Sequence, residues 1–187
     1  MSRIEDLAER YGQHIATPWQ RTIAGAQRVV MVVYDKELER TLRARKVAFE
    51  TATAKAGHDW YEVDITSSFA EWMATEDYCE EYFKNPDDLK LKLEDEFPEY
   101  VAEQVRKVLS SDDVTENSVV ALFGGGSLFG LTRLSHVLKL LEPDIRGRLV
   151  VFFPGQLENN GYRLLDGRSG WNYLAVPITL HSTGVST

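Results

Sequence analysis

Three consecutive glycines, Gly124, Gly125 and Gly126, followed by Ser127, stand between an apolar run and a helix-like segment in SVVALFGGGSLFGLTRLSHVLKLL. In that setting a glycine turn can present backbone N–H groups to an anion at a helix amino terminus. Counted from Gly125, the spacing matches the phosphate loop G-x-x-x-x-G, with Gly130 as the second glycine and Thr132 in the hydroxyl position. Leu131 stands where that loop needs lysine, and Arg133, two positions on, is the nearby cation. The candidate is therefore an anion-binding turn formed by Gly124, Gly125, Gly126, Ser127 and Arg133, without NTP hydrolysis. The alternative is a tight turn selected for close packing. A nucleophile elbow G-x-S-x-G is absent, because Phe129 occupies its last position.

Two aspartates, Asp35 and Asp64, each follow an apolar run. They could serve as acid and base or as magnesium ligands, but an Asp leaving a strand is more often a cap or turn residue, and that is the reading favoured here. Four scattered histidines and a lone Cys79 offer neither metal-ligand spacing nor an internal disulfide, so no metal or cofactor is expected. A net charge of −8 repels phosphate backbones and sets the expectation against direct nucleic-acid binding. No secretory signal pattern and no bilayer-length apolar stretch is present, which predicts a cytoplasmic protein off the membrane.

The elements that must position these residues follow from periodicity. Apolar runs at Arg28–Tyr34, Trp60–Ile65, Ser118–Phe123, Arg148–Phe153 and Tyr173–Thr179 predict five strands. The first, third and fourth are continuously apolar, the pattern of strands covered on both faces. Pro177 places the last strand at an edge or at a bulge. Helical spacing covers Arg3–His14, Lys36–Ala56, Ser68–Phe83, Pro86–Leu109 and Leu131–Leu141, with Pro98 expected to kink or divide its segment. The fold class predicted is α/β: three layers, about five mostly parallel strands and flanking helices, Rossmann-like or degenerate P-loop-like. Residues 1–187 read as one such domain, with 1–22 as an amino-terminal helical arm.

Three further stretches bear on recognition. In a stretch crowded with aromatic residues that also holds Phe83, Phe69, Trp72 and Met73 share one helical face and read as core, whereas the tyrosines Tyr78 and Tyr82 fall elsewhere and admit a partner surface. The basic run Arg40–Lys46 reads as a solvated helix face. Gln156–Asn172 is polar and glycine-bearing, either a long functional loop or a hairpin around Tyr162–Leu165.

The phrases AGHDWYEVDITSSFAEWM, YCEEYF, RGRLVVFFPG and NNGYRLLDGRSGWNYLAVPI, in that order, resemble the BrxB-like family, a core component of bacterial BREX phage-defence systems. Pro154, Gly155, Asn160, Tyr162, Arg163, Leu164, Asp166, Gly170, Trp171 and Asn172 carry the most specific part of the resemblance, and Gly167 departs from it where the pattern has alanine. It implies a non-catalytic adaptor or structural component of a BREX complex that also holds a methyltransferase, a large ATPase and the alkaline-phosphatase-like protein PglZ. Other BREX proteins, PglZ first, are the partners it implies. The candidate interaction surface comprises Asn160, Tyr162, Arg163, Asp166, Arg168, Trp171 and Asn172. The alternative reading is a nucleotide- or phosphate-binding regulatory domain with a degenerate P-loop that does not hydrolyse NTP.

Overall fold

The computed structural model describes residues 2–159, 161–167 and 171–180. Its strands are β1 (Val29–Tyr34), β2 (Asp59–Asp64), β3 (Ser118–Phe123), β4 (Arg148–Glu158), β5 (Gly161–Leu164), β6 (Trp171–Asn172) and β7 (Val176–Ile178). Five of them form a parallel sheet in the order β2-β3-β4-β1-β7. The four-residue β5 and two-residue β6 add an antiparallel ribbon on the distal half of β4.

Every residue of β1 and β3 is buried, as are the first eight of β4. Alternate side chains therefore enter two separate cores, one on each face of the sheet. Val30, Val32, Val150 and Phe152 face a layer that includes Leu7, Tyr11 and Phe49. Val29, Met31, Val151 and Phe153 face the opposite layer, built around Trp72, Phe97, Val101 and Leu138. The exposed and half-exposed pattern of β2 marks it as an edge, and β7 with Pro177 closes the other edge.

The helices are α1 (Arg3–Ile15), α2 (Glu39–Ala44), α3 (Val47–Lys55), α4 (Ser68–Ala74), α5 (Cys79–Lys84), α6 (Lys90–Glu94), α7 (Glu96–Leu109) and α8 (Leu134–Leu141). From β1 the chain crosses to the far edge at β2, then steps back through β3 and β4. Right-handed crossovers running in opposite directions put their helices on opposite faces, which gives the three layers. The segment read as an amino-terminal arm belongs to one of these layers: Ile4, Leu7, Ala8, Tyr11 and Ile15 of α1 are buried. Tyr11 shares a 2.6 Å hydrogen bond with Thr53 of α3. A capping box between Ser2 and Glu5 starts that helix.

The long helical segments are divided at places periodicity did not mark. Arg45–Lys46 separates α2 from α3, and residues 75–78 separate α4 from α5. Pro98 lies in the first turn of α7, where its missing N–H costs no hydrogen bond, and the interruption falls before it at Asp95. No described helix is long and apolar enough to cross a membrane.

Phe152 joins three elements, stacking on Phe123 at 4.5 Å and meeting Phe49 edge-on at 4.9 Å. Phe152→Ala is expected to cost about 3–5 kcal/mol and to lower Tm by roughly 10 °C in thermal denaturation. Phe129→Ala, at a side chain 49% exposed, should change stability by about 0.5 kcal/mol or less.

Candidate functional site

The carboxyl ends of the parallel strands gather most of the residues singled out from the sequence. Asp64 ends β2 beside Phe123 at the end of β3. Its carboxylate accepts from the Thr66 backbone N–H at 3.0 Å, a turn-forming bond, and from Arg43 Nη1 of α2 at 2.7 Å. The same guanidinium donates to Thr66 Oγ1 at 3.0 Å and to Glu39 Oε1 at 2.7 Å, and Glu39 accepts from the Tyr34 hydroxyl at the end of β1. Arg43 thus ties together the ends of β1 and β2. Burial pushes the Tyr34 phenol up, and the Glu39 carboxylate adds to that effect. Partial burial alone would raise the Asp64 carboxyl, but hydrogen bonds from Arg43 and Thr66 outweigh it and hold Asp64 below the ordinary carboxylate range.

Gly124 sits against this cluster in a left-handed conformation, φ +88°. A Cβ there would lie 2.5 Å from Thr66 Oγ1 and 2.7 Å from Asp64 Oδ1. Close approach therefore explains the first glycine. Gly125–Leu128 form a single 3-10 turn, and α8 starts only at Leu134, so the glycines do not open directly into the helix. The Ser127 hydroxyl is directed at main-chain carbonyls, those of Gly124 at 2.7 Å and Ile65 at 3.2 Å. Arg133 is exposed and lines a separate depression with Glu94, Gly130, Thr132 and His136. The lining of that depression does not include Gly124, Gly125, Gly126 or Ser127.

Beyond Pro154, β4 continues as one arm of a hairpin with β5, resolving Gln156–Asn172 in favour of regular structure over most of its described length. Gly155 permits this: a Cβ there would be 2.0 Å from the Arg163 carbonyl oxygen. Leu165 follows in a left-handed conformation, φ 52°, held by its N–H to Pro154 O at 2.9 Å. The proposed surface set divides. Tyr162 is 1% exposed, packs with Trp171 at 5.4 Å and Phe153 at 5.7 Å, and donates to Ala175 O at 3.2 Å. Burial pushes its phenol up to about 12. Trp171 is half-buried and meets Phe153 edge-on, so both aromatics belong to the hairpin's own core. Arg163 pairs with Glu158 at 2.8 Å, Asp166 pairs with Lys36 at the end of β1, and Asn172 is exposed. Asn160 and Arg168 lie outside the described residues.

A crevice of about 280 Å³ opens between the hairpin and the ends of β1 and β7, lined by Arg3, Tyr34, Asp35, Gln156, Glu158 and Thr179 among others. It lies beyond the carboxyl ends of β1 and β7, the edge at which open parallel sheets usually place ligands. Asp35 at its rim forms a 2.6 Å ion pair with Arg3 of α1 rather than a side-chain cap. Among the described residues no group of three or more His, Cys, Asp or Glu is placed to hold a metal ion. The basic run Arg40–Lys46 is largely ion-paired: Arg43 to Glu39 and Asp64, Arg45 to Glu5, and Lys46 to Glu62 at 2.5 Å. Its joining role was missed because spacing within one helix cannot show partners on other strands.

Gly124→Ala is expected to cost about 2 kcal/mol or more, read as a Tm loss of roughly 5–8 °C. Asp64 contributes stability that is complete above about pH 4, the unfolded carboxyl value, and is lost as pH falls through its lowered native value. Tm measured between about pH 5 and 3 should therefore fall more steeply in the native chain than in Asp64→Asn.

Comparison with known proteins agrees with the resemblance carried by the hairpin phrases. A family model described as BREX protein BrxB matches residues 62–177, from β2 through the glycine turn and hairpin into β7. No curated protein and no solved structure gave a match. With more than half of its length covered, this chain belongs to the BrxB family, a component of BREX phage defence.

Proposed function

We propose that this protein is a non-catalytic adaptor that binds other BREX proteins, with PglZ as its direct partner. The observation that supports this reading is an apolar excursion on the surface. Between α4 and α7 the chain makes two short helices joined by a 3-10 turn at Pro86–Leu89, and there Tyr78, Phe83 and Leu91 are 67%, 68% and 75% exposed. Elsewhere in the same region the aromatic payload is internal: Trp72 and Phe97 are buried at 5.0 Å from one another. Large apolar groups left in water along one short stretch favour a partner, since their burial stabilises a complex and their exposure gives the isolated chain nothing. Aromatic anchors of this kind supply most of the energy of an interface.

The hairpin offers a second, polar contribution to the same role. Arg163, Asp166 and Asn172 reach its outer side, while Tyr162 and Trp171 stiffen it from within. The partner assignment comes from the shared defence system and not from shape.

Co-purification with PglZ at micromolar concentration tests the binary contact, and absence of association sinks it. A triple variant, Tyr78→Ser, Phe83→Ser and Leu91→Ser, removes the exposed apolar groups without touching the core. It should keep the native Tm within about 2 °C, lose association by at least about tenfold and lose phage restriction. A folded triple variant that still associates fully would overturn the role of this surface.

A further inference from the structure

The opposite end of the sheet carries a second candidate site, away from the hairpin and from α5 and α6. The amino ends of β2, β3, β4 and β1, which are adjacent in that order, border a pocket of about 350 Å³. Arg28 precedes β1, His58 precedes β2, Asn117 precedes β3, and Arg146 and Arg148 flank the start of β4. Trp19 and Arg21, from the segment after α1, complete the wall, together with the exposed Glu116.

These four arginines share one pocket wall and lack carboxylate partners. In a chain of net charge −8, cations such as Arg43, Lys92 and Arg106 are each paired with two carboxylates. None of Arg21, Arg28, Arg146 and Arg148 forms an ion pair with a described residue. Arg28 donates to the carbonyls of Ile145 at 2.6 Å and Arg21 at 2.9 Å. Arg146 donates to Leu109 and Ser111, both at 2.8 Å, closing the end of α7. Arg148 is only 9% exposed, yet its one hydrogen bond to a described residue is Nη1 to Gly147 O at 3.0 Å. Its guanidinium lies 4.7 Å from the Trp19 ring centre, and Trp19 stacks on His58 at 3.7 Å. Neutral carbonyls and an aromatic face hold the guanidinium groups of Arg28, Arg146 and Arg148, and no described carboxylate lies within ion-pair distance of them.

Gathering like charges beside a buried arginine is costly without an anion. Burial and then the nearby Arg28 both act to lower the Arg148 pKa, the direction expected of a cation lacking its counter-charge. Nδ1 of His58 is 2.7 Å from Asn117 Oδ1, which can only accept, so the ring is oriented with Nε2 turned away from that bond.

We propose that this arginine-lined pocket at the amino ends of the strands binds a phosphate group. A multiply charged oxyanion matches several convergent guanidinium groups better than a single carboxylate does, because each fork donates to two oxygens. The group can arrive on a free nucleotide or on a polynucleotide backbone. The site is independent of the adaptor surface on α5 and α6.

Calorimetric titration of the intact chain with inorganic phosphate, AMP and a short single-stranded oligodeoxynucleotide tests the proposal. At least one probe should bind with submillimolar Kd. Arg148→Gln should weaken it by at least about tenfold, and Arg21→Gln, at an exposed wall residue, by roughly threefold or more without a change in ligand-free Tm. Saturation by AMP assigns a free phosphate monoester, whereas binding by the oligonucleotide alone assigns a backbone phosphate; either result supports the site. No binding of any probe at millimolar concentration, or unchanged affinity in a folded Arg21→Gln and Arg148→Gln pair, overturns it. Should Arg148→Gln fail to fold, Arg21→Gln decides. PglZ association measured on Arg21→Gln should remain at the native level, so failure of one reading is separable from failure of the other.

Discussion

The rest of the structure depends on the burial of both faces of β1, β3 and β4. A strand with no exposed face needs a layer of helices above and another below, and a parallel strand needs a crossover to reach its neighbour. The two demands are met together here. One crossover carries α2 and α3 over to the edge at β2, on the side where α1 also packs, and the return through β3 and β4 carries α4 to α8 on the other side. Phe152 and Phe153, consecutive in β4, anchor the two cores separately. The two sides of the sheet are therefore linked through backbone rather than through shared side chains.

That arrangement sends the polar work to the two ends of the sheet. At the carboxyl end, Arg43 gathers Glu39, Asp64 and Thr66, and Glu39 in turn holds Tyr34; Gly124 packs directly against this cluster. The hairpin covers the neighbouring ends of β4 and β1, latched by Lys36 to Asp166. At the amino end the balance is reversed, with arginines whose partners are carbonyls. The two ends differ in charge compensation more than in shape.

Much of the frame was legible in the sequence because burial on two faces writes itself as unbroken apolar runs. Ser118–Phe123 matches its strand at both ends, and Pro177 lies on an edge strand as its missing donor requires. The BrxB resemblance was legible in the phrases around the hairpin. Other features were hidden by their nature. The amphipathic α1 reads the same whether it is an arm or a layer, since its apolar face is defined before its partner is. Gly124 resembles a phosphate loop by spacing, and its packing against Asp64 and Thr66 depends on a strand nearly sixty residues away in the chain. Tyr162 and Trp171 have the composition of a recognition surface, and only the register of β5 with β6 turns them onto Phe153. The arginines gather from the segment after α1 and the starts of β1 and β4, far apart in the chain, so no local pattern announces them.

β4 has a double life that gives the hairpin unusual leverage. Its first half is a central strand between β3 and β1, and its second half, without a break, is the inner arm of the ribbon with β5. A macromolecule gripping the ribbon would hold the axis of the sheet directly, with no flexible joint between handle and frame. Displacement of the ribbon cannot be absorbed as loop motion, and it reaches the pairing of Tyr34 with Pro154 within a few residues. Docking on this surface would thus be mechanically continuous with the centre of the fold, and strain applied there would be shared with both cores.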